Sequence, residues 1–139
     1  MQYVTDTATQ GICPDGWHIP TDFEWKVLEG TVDSQYPVGD PEWDGTGWRG
    51  FDAGYNLKSE NGWNSGGNGS DAFGFMTLPA GYCDGGGNFY CVTEIAGFWP
   101  STEDYGNMAW FRELDYNNNR VYRMYNSKNH GFSVRCLKD

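Results

Sequence analysis

From residue 108 to the C-terminus the chain alternates with period two, the repeat of a β-strand whose side chains point to opposite faces. Trp110, Arg112, Leu114 and Tyr116 share one parity, continued by Val121 and Arg123. Between them sit Phe111, Glu113, Asp115, Tyr122 and Met124. The pattern predicts strands over 108–116, 120–125 and 132–138. One parity reads as framework. The other reads as an aromatic and polar surface presented to solvent.

The N-terminal half carries a different rhythm. Pro20 precedes Thr21-x-x-Glu24, a capping box that predicts a helix start, with Trp25 and Leu28 on its inner face. Gly30 reads as its stop. A second, weaker helix is expected over 52–58, with Ala53, Tyr55 and Leu57 toward the body. Residues 37–50 and 61–70, rich in Gly, Pro and Asn, read as loops. Trp43 and Trp48 in the first loop are expected to be exposed. Trp17, Trp25, Trp63, Trp99 and Trp110 are expected in the core. Helices first and strands afterwards imply an α+β domain with antiparallel sheets.

Length and composition narrow the class. The 139 residues fit a single domain over 1–139, with residues 1–12 as a leader segment. Aromatics at 17% and 20 glycines favour a loop-rich fold with short strands over a helix bundle. A net charge of −10 argues against nucleic acid as a partner, because phosphate contacts need a basic footprint. No run of some 20 apolar residues suits a bilayer, so direct membrane insertion is not expected. Met1 is followed by polar residues rather than by the apolar run of a signal peptide. The chain is therefore read as one domain of a longer protein.

Cys13, Cys83, Cys91 and Cys136 allow three pairings. The simplest is nested: Cys13–Cys136 tying the two ends, Cys83–Cys91 clasping the turn at 84–88. The first would close a very long loop and restrict the unfolded chain by about 4–5 kcal/mol. Reduced thiols in a cytosolic protein are the alternative; an extracellular setting is favoured. No cofactor is expected. Asn64, Asn68, Asp71 and Asp84 are candidate oxygen ligands for a structural calcium, although their spacing is not that of an EF-hand.

Several spaced motifs carry a family resemblance. They are Cys13-Pro-Asp-Gly-Trp17-His18-Ile-Pro20 running on to Glu24-Trp25, Leu57-Lys58-Ser59, Gly62-Trp63, Asn68-Gly-Ser-Asp71, Phe73-Gly74-Phe75, Leu78-Pro79-Ala80-Gly81 and Trp99-x-Ser101-Thr102-Glu103. With the pattern from Ala109 to Cys136, the chain closely resembles the Fibrobacter succinogenes major paralogous domain. The resemblance implies a C-type-lectin-like fold of the formylglycine-generating-enzyme type, found mostly in bacterial surface or secreted domains. It also implies kinship with the variable proteins of diversity-generating retroelements of bacteria and phages. In those systems adenines, chiefly in Asn codons, are randomised near the end of the gene.

On that reading residues 98–139 form a variable display region. Its ligand-binding candidates are Tyr105, Asn107, Phe111, Glu113, Asp115, Asn117, Asn119, Arg120, Tyr122, Met124, Asn126, Asn129 and His130. All but Glu113 and Met124 can be reached from an Asn codon by changing adenines. Tyr and Asn suit recognition, the first for contact area at low entropic cost and the second for adaptable hydrogen bonds. The expected partner is a protein or glycan on another cell or particle, and the expected location is extracellular, on a bacterial surface or a phage. A non-diversified adhesin or structural module is the alternative. A formylglycine-generating oxidase is the least favoured reading and no enzymatic activity is expected, since that chemistry needs a reactive cysteine pair and the four cysteines here read as structural. His18 and His130 form no catalytic or metal set by spacing. Arg112, Arg123 and Arg135 are expected to pair with carboxylates such as Glu103, Asp71 or Asp22.

Overall fold

Thr21 starts the first helix as the capping box predicts. The Glu24 N–H donates to Thr21 Oγ1 at 3.2 Å, and the Thr21 N–H donates to Glu24 Oε2 at 2.8 Å. The computed structural model describes residues 10–139, so most of the expected 1–12 leader lies outside the described residues. Helix α1 spans Asp22–Val32. It runs through Gly30 rather than stopping there. A Cβ on Gly30 would lie 2.6 Å from the Val38 Cα, so this glycine admits a crossing backbone instead of ending the helix. The actual organiser of the helix end is Asp33. Its Oδ1 accepts from the backbone of Gln35 and Tyr36, and its Oδ2 accepts from Phe51, Asp52 and Ala53. One carboxylate thereby fixes the end of α1 against the start of helix α2, Ala53–Leu57.

Strands follow as β1 (Trp17–His18), β2 (Gly47–Arg49), β3 (Tyr82–Cys83), β4 (Phe89–Tyr90), β5 (Ile95–Phe98), β6 (Met108–Asp115), β7 (Val121–Ser127) and β8 (Leu137–Lys138). They form an antiparallel four-stranded sheet in the order β2-β7-β6-β5 and two small pairs, β1-β8 and β3-β4. The class is α+β, with two α-helices and antiparallel sheets among the described residues. Two of the three strands predicted at the C-terminal end form. Of the third only Leu137–Lys138 is regular; before it Gly131 and Ser133 make isolated bridges, to Cys83 and to Phe98 at the outer edge of β5. The 37–50 segment is not all loop. A 3-10 helix at Pro41–Asp44, capped by Asp40, buries Trp43 to 1% exposure, and β2 pairs with β7. Trp17, expected in the core, is 38% exposed.

Both faces of the main sheet are covered. One core joins Trp25, Trp43, Leu57, Trp63, Phe98, Leu114 and Val121 beneath the helices. The second joins Cys13, Ile19, Trp99, Ala109 and Phe111. The Cys13–Cys136 disulfide closes this second core and, with the β1-β8 pair, brings the two ends of the domain together. The other expected bridge is absent: Cys83 and Cys91 are free thiols. The register explains this, since Cys83 lies opposite Phe89 in the β3-β4 ladder, not opposite Cys91.

Under the helix side lies a buried ionic cluster. The Arg112 guanidinium, fully buried, donates from Nε to Glu29 and from Nη1 to Asp22 at 2.8 Å. Arg123 makes a two-pronged contact with Asp22 at 2.9 and 2.8 Å and lies over the Trp110 ring. Arg49 Nη2 is 3.0 Å from Glu29 Oε2, an ion pair whose geometry does not make a hydrogen bond. Asp22 is the carboxylate expected for this role. Asp71 instead accepts from the backbone of Met76, Glu103 pairs with Lys128, and Arg135 lies over Phe75. Glu29 and Arg49 were not anticipated as partners; their charges sit in a helical and a loop pattern with no periodic mark.

Candidate recognition surface

The register of the sheet decides which candidate residues meet. Pairing of Phe111 with Met124, Glu113 with Tyr122 and Ala109 with Asn126 places these on one face. Trp48 lies opposite Tyr122, and Gly97 opposite Glu113. A single row, Gly97–Glu113–Tyr122–Trp48, therefore crosses all four strands. Residues 131–136 return beside it along the outer edge of β5, where Ser133 bonds to the backbone of Gly97 and Trp99. A Cβ on Gly97 would lie 2.4 Å from the Phe132 ring, so glycine at this position lets Phe132 settle against β5.

Aromatic rings then follow one another across this face. Centroids are 5.1 Å apart for Trp48–Tyr122, 5.9 Å for Tyr122–Phe111, and 5.0 Å for Phe111–Phe132, which stack nearly parallel. The line continues at 5.9 Å to Tyr82 and 5.7 Å to Tyr90. His130 stacks on Phe132 and faces Tyr82. Such ring pairs favour offset or tilted contact and hold one another rigid. The middle of the line is core, its Tyr90 end is exposed and its Trp48 end is half-buried. Phe111 is 6% exposed, which corrects its expected place on the surface. The alternation identifies two faces but not how far each is covered, and the Phe132 and Trp99 rings cover Phe111. Trp48, Tyr122, Met124 and His130 are half-buried, while Tyr90 and Phe89 are exposed.

The remaining candidates fall at opposite ends of the β6-β7 hairpin. At one end Tyr105, 90% exposed, and Asn107 neighbour Asn126 and Asn129. Lys128 joins these two loops through Glu103 at 2.9 Å and the Gly106 carbonyl at 3.1 Å. At the other end Asn117, Asn119 and Arg120 form a turn docked on α2. Asn119 O accepts from Tyr55, Lys58 Nζ donates to the carbonyls of Asp115 and Asn118, and a Cβ on Gly54 would meet Arg120 O at 2.3 Å. Eight residues of β6 separate the ends by roughly 25 Å at strand rise. The thirteen candidates thus do not form one patch. Sequence reasoning also missed Trp48, Tyr82, Tyr90 and Phe132; the Trp48 register is set by a pairing 74 positions away and has no local signal.

Glu113 stands out electrostatically. Among the described residues its carboxylate has no hydrogen-bonding or ion-pair partner. Burial among the rings, with Asp115 two residues along the strand, pushes it up to about 7. Folded Glu113 therefore holds a proton over a range where the unfolded group, at 4.5, has lost it. By linkage, stability falls as pH rises from about 4.5 to about 7. Glu113→Gln is expected to remove that slope and to raise the melting temperature more at pH 8 than at pH 5. A melting series across that range checks this.

The free Cys91 thiol lies near the same carboxylates; burial, with Glu94, Glu113 and Asp115, pushes it up, disfavouring the reactive thiolate. The proposed calcium ligands are engaged locally: Asn68 Oδ1 accepts from the Trp63 backbone, Asp84 organises its turn through Gly86 and Asn88, and Asn64 Oδ1 accepts from Ser65. No group of three or more His, Cys, Asp or Glu able to hold a metal occurs among the described residues. No helix among them is long and apolar enough to cross a membrane. No curated protein and no solved structure matches the chain. The sequence model of the Fibrobacter succinogenes major domain matches residues 2–138, and with the motifs now placed in the fold, the chain belongs to that family.

Proposed function

We propose that this chain is an extracellular ligand-binding domain on a C-type-lectin-like scaffold, and that its recognition surface is the open part of the aromatic sheet face with the adjoining loops 103–107 and 126–130. The observation that carries this reading is the line of rings from Trp48 to Tyr90, packed in its middle, exposed at Tyr90 and part-exposed at Trp48. Preorganised aromatic side chains supply contact area without the entropy of ordering long chains. The target class is a protein or a glycan. Side chains at Tyr105, Asn107, Asn126 and Asn129 border the face and suit variation by a diversity-generating retroelement, because little packs on them. A near-repeat of the final coding segment, differing only at adenines and lying beside a reverse transcriptase gene, separates this from a fixed adhesin. The Cys13–Cys136 bridge favours an oxidising location. Binding is favoured over oxidase chemistry because the Cys91 thiol is held protonated.

Arrays of glycans and of purified surface proteins test the reading. Trp48→Ala and Tyr122→Ala are expected to weaken the strongest hits at least tenfold, equivalent to about 1.4 kcal/mol, with circular dichroism unchanged. Undiminished hits in both variants would contradict it.

A further inference from the structure

The Gly97–Glu113–Tyr122–Trp48 row holds one feature that aromatic packing does not explain. Glu113 is a half-buried carboxyl flanked by rings, and no protein donor among the described residues reaches it. Tyr122 is its cross-strand neighbour, and the Trp48 ring leans on Tyr122 at 5.1 Å. Phe111 precedes it and Asp115 follows it on the same strand face. Asp115 on β6 acts on it, and the Cys91 thiol before β5 feels both carboxylates together with Glu94; the nearby cation, Lys58, is held on the Asp115 and Asn118 carbonyls and makes no pair with Glu113. The arginines of β6 and β7 point to the opposite face and are consumed by Asp22 and Glu29. The site is thus an aromatic-walled carboxylate lacking a cation, on a domain of net charge −10.

We propose that this row receives a basic side chain, arginine above all, from a protein partner. The inference rests on the binding reading above and selects a protein from its two target classes. Guanidinium fits both elements of the row. Its planar fork donates to a carboxylate, and its face stacks on Tyr or Trp. A sugar hydroxyl would also donate to Glu113 but brings no charge to complement the carboxylate. Entry of the cation would also favour the ionised carboxylate, so the vacant row would hold a proton near neutral pH and the occupied one would release it.

The probe is Nα-acetyl-arginine methylamide, with the citrulline analogue as its neutral isostere. A fragment of this size is expected to bind with a Kd on the order of 1 mM. NMR titration of the intact domain reads the Glu113 carboxyl carbon, the Trp48 indole and the Tyr122 ring. The arginine compound should shift all three and lower the Glu113 midpoint. The citrulline compound should shift none by a comparable amount, and Glu113→Gln should weaken arginine binding at least tenfold. No perturbation up to about 50 mM, roughly fifty times the expected Kd, or equal shifts from both compounds, would overturn the inference. Those outcomes are separable from failure of the binding reading. Array hits that still depend on Trp48 and Tyr122 would leave a recognition face without a basic anchor, whereas hits indifferent to both would remove the face itself.

Discussion

Reduction of the Cys13–Cys136 disulfide is expected to lower stability by about 5 kcal/mol, the largest single effect in the molecule. The bridge spans a sequence separation of 123 residues, nearly the whole chain, so opening it releases the unfolded ensemble from its longest constraint. The folded state gains little in return. Cys13 is 5% exposed and packs with Ile19, Trp99, Ala109 and Phe111, so two thiols would replace the bond inside a closed core. The two-residue β1-β8 pair cannot hold the ends alone. Urea unfolding with and without reductant, and of Cys13→Ala/Cys136→Ala, measures the effect. A drop below about 1 kcal/mol would mean that packing, not the bridge, joins the ends.

Arg112→Ala is expected to destabilise the domain by about 3–5 kcal/mol, because it strands the buried Glu29 carboxylate and takes one of two arginines from Asp22. Arg112 is wholly enclosed and is the only residue hydrogen-bonded to both Glu29 and Asp22 among the described residues. Without it Asp22 retains Arg123, but Glu29 keeps only the poorly aligned Arg49. Arg112→Met/Glu29→Leu should recover much of the loss, since removing both partners leaves no uncompensated charge at that contact. Acid should reproduce part of the effect. Arg123 and Arg112 hold the Asp22 carboxyl at about 2 against its own desolvation, below its unfolded 3.8. Its contribution is complete above about pH 4 and declines as pH falls toward about 2. Chemical denaturation of the variants at pH 7, and of the wild type from pH 5 to 2, gives both numbers.

Much of this fold was legible in the chain. Thr21 and Glu24 marked the first helix start because capping is local chemistry. The alternation from Met108 to Met124 located β6 and β7 and their shared faces for the same reason. What failed was whatever depends on distant pairing. Trp43 lies in a proline- and glycine-rich stretch that looks exposed, yet its indole donates to the Pro37 carbonyl and its rings fill the helix-side core. Phe111 has the parity of a surface residue and becomes core because the Phe132 and Trp99 rings, brought from other segments, pack on it. Cys83 and Cys91 flank a turn like a clasp, but the ladder sets Cys83 against Phe89. The proposed recognition surface was half visible: Glu113, Tyr122 and Met124 from parity and His130 from the family pattern, whereas Trp48, Tyr82, Tyr90 and Phe132 arrive from other segments. Asn117, Asn119 and Arg120 share the composition of a display loop but anchor a turn on α2.

Hydroxyl-radical footprinting of the domain, free and bound to its strongest array ligand, tests the central claim most directly. The account predicts that Trp48, Tyr82, Tyr90 and Tyr122 lose reactivity on binding while Tyr55 and Phe23, on the helix side, do not. Protection confined to Tyr55, Phe23 or the turn at 116–120, with the aromatic face still reactive, would contradict it.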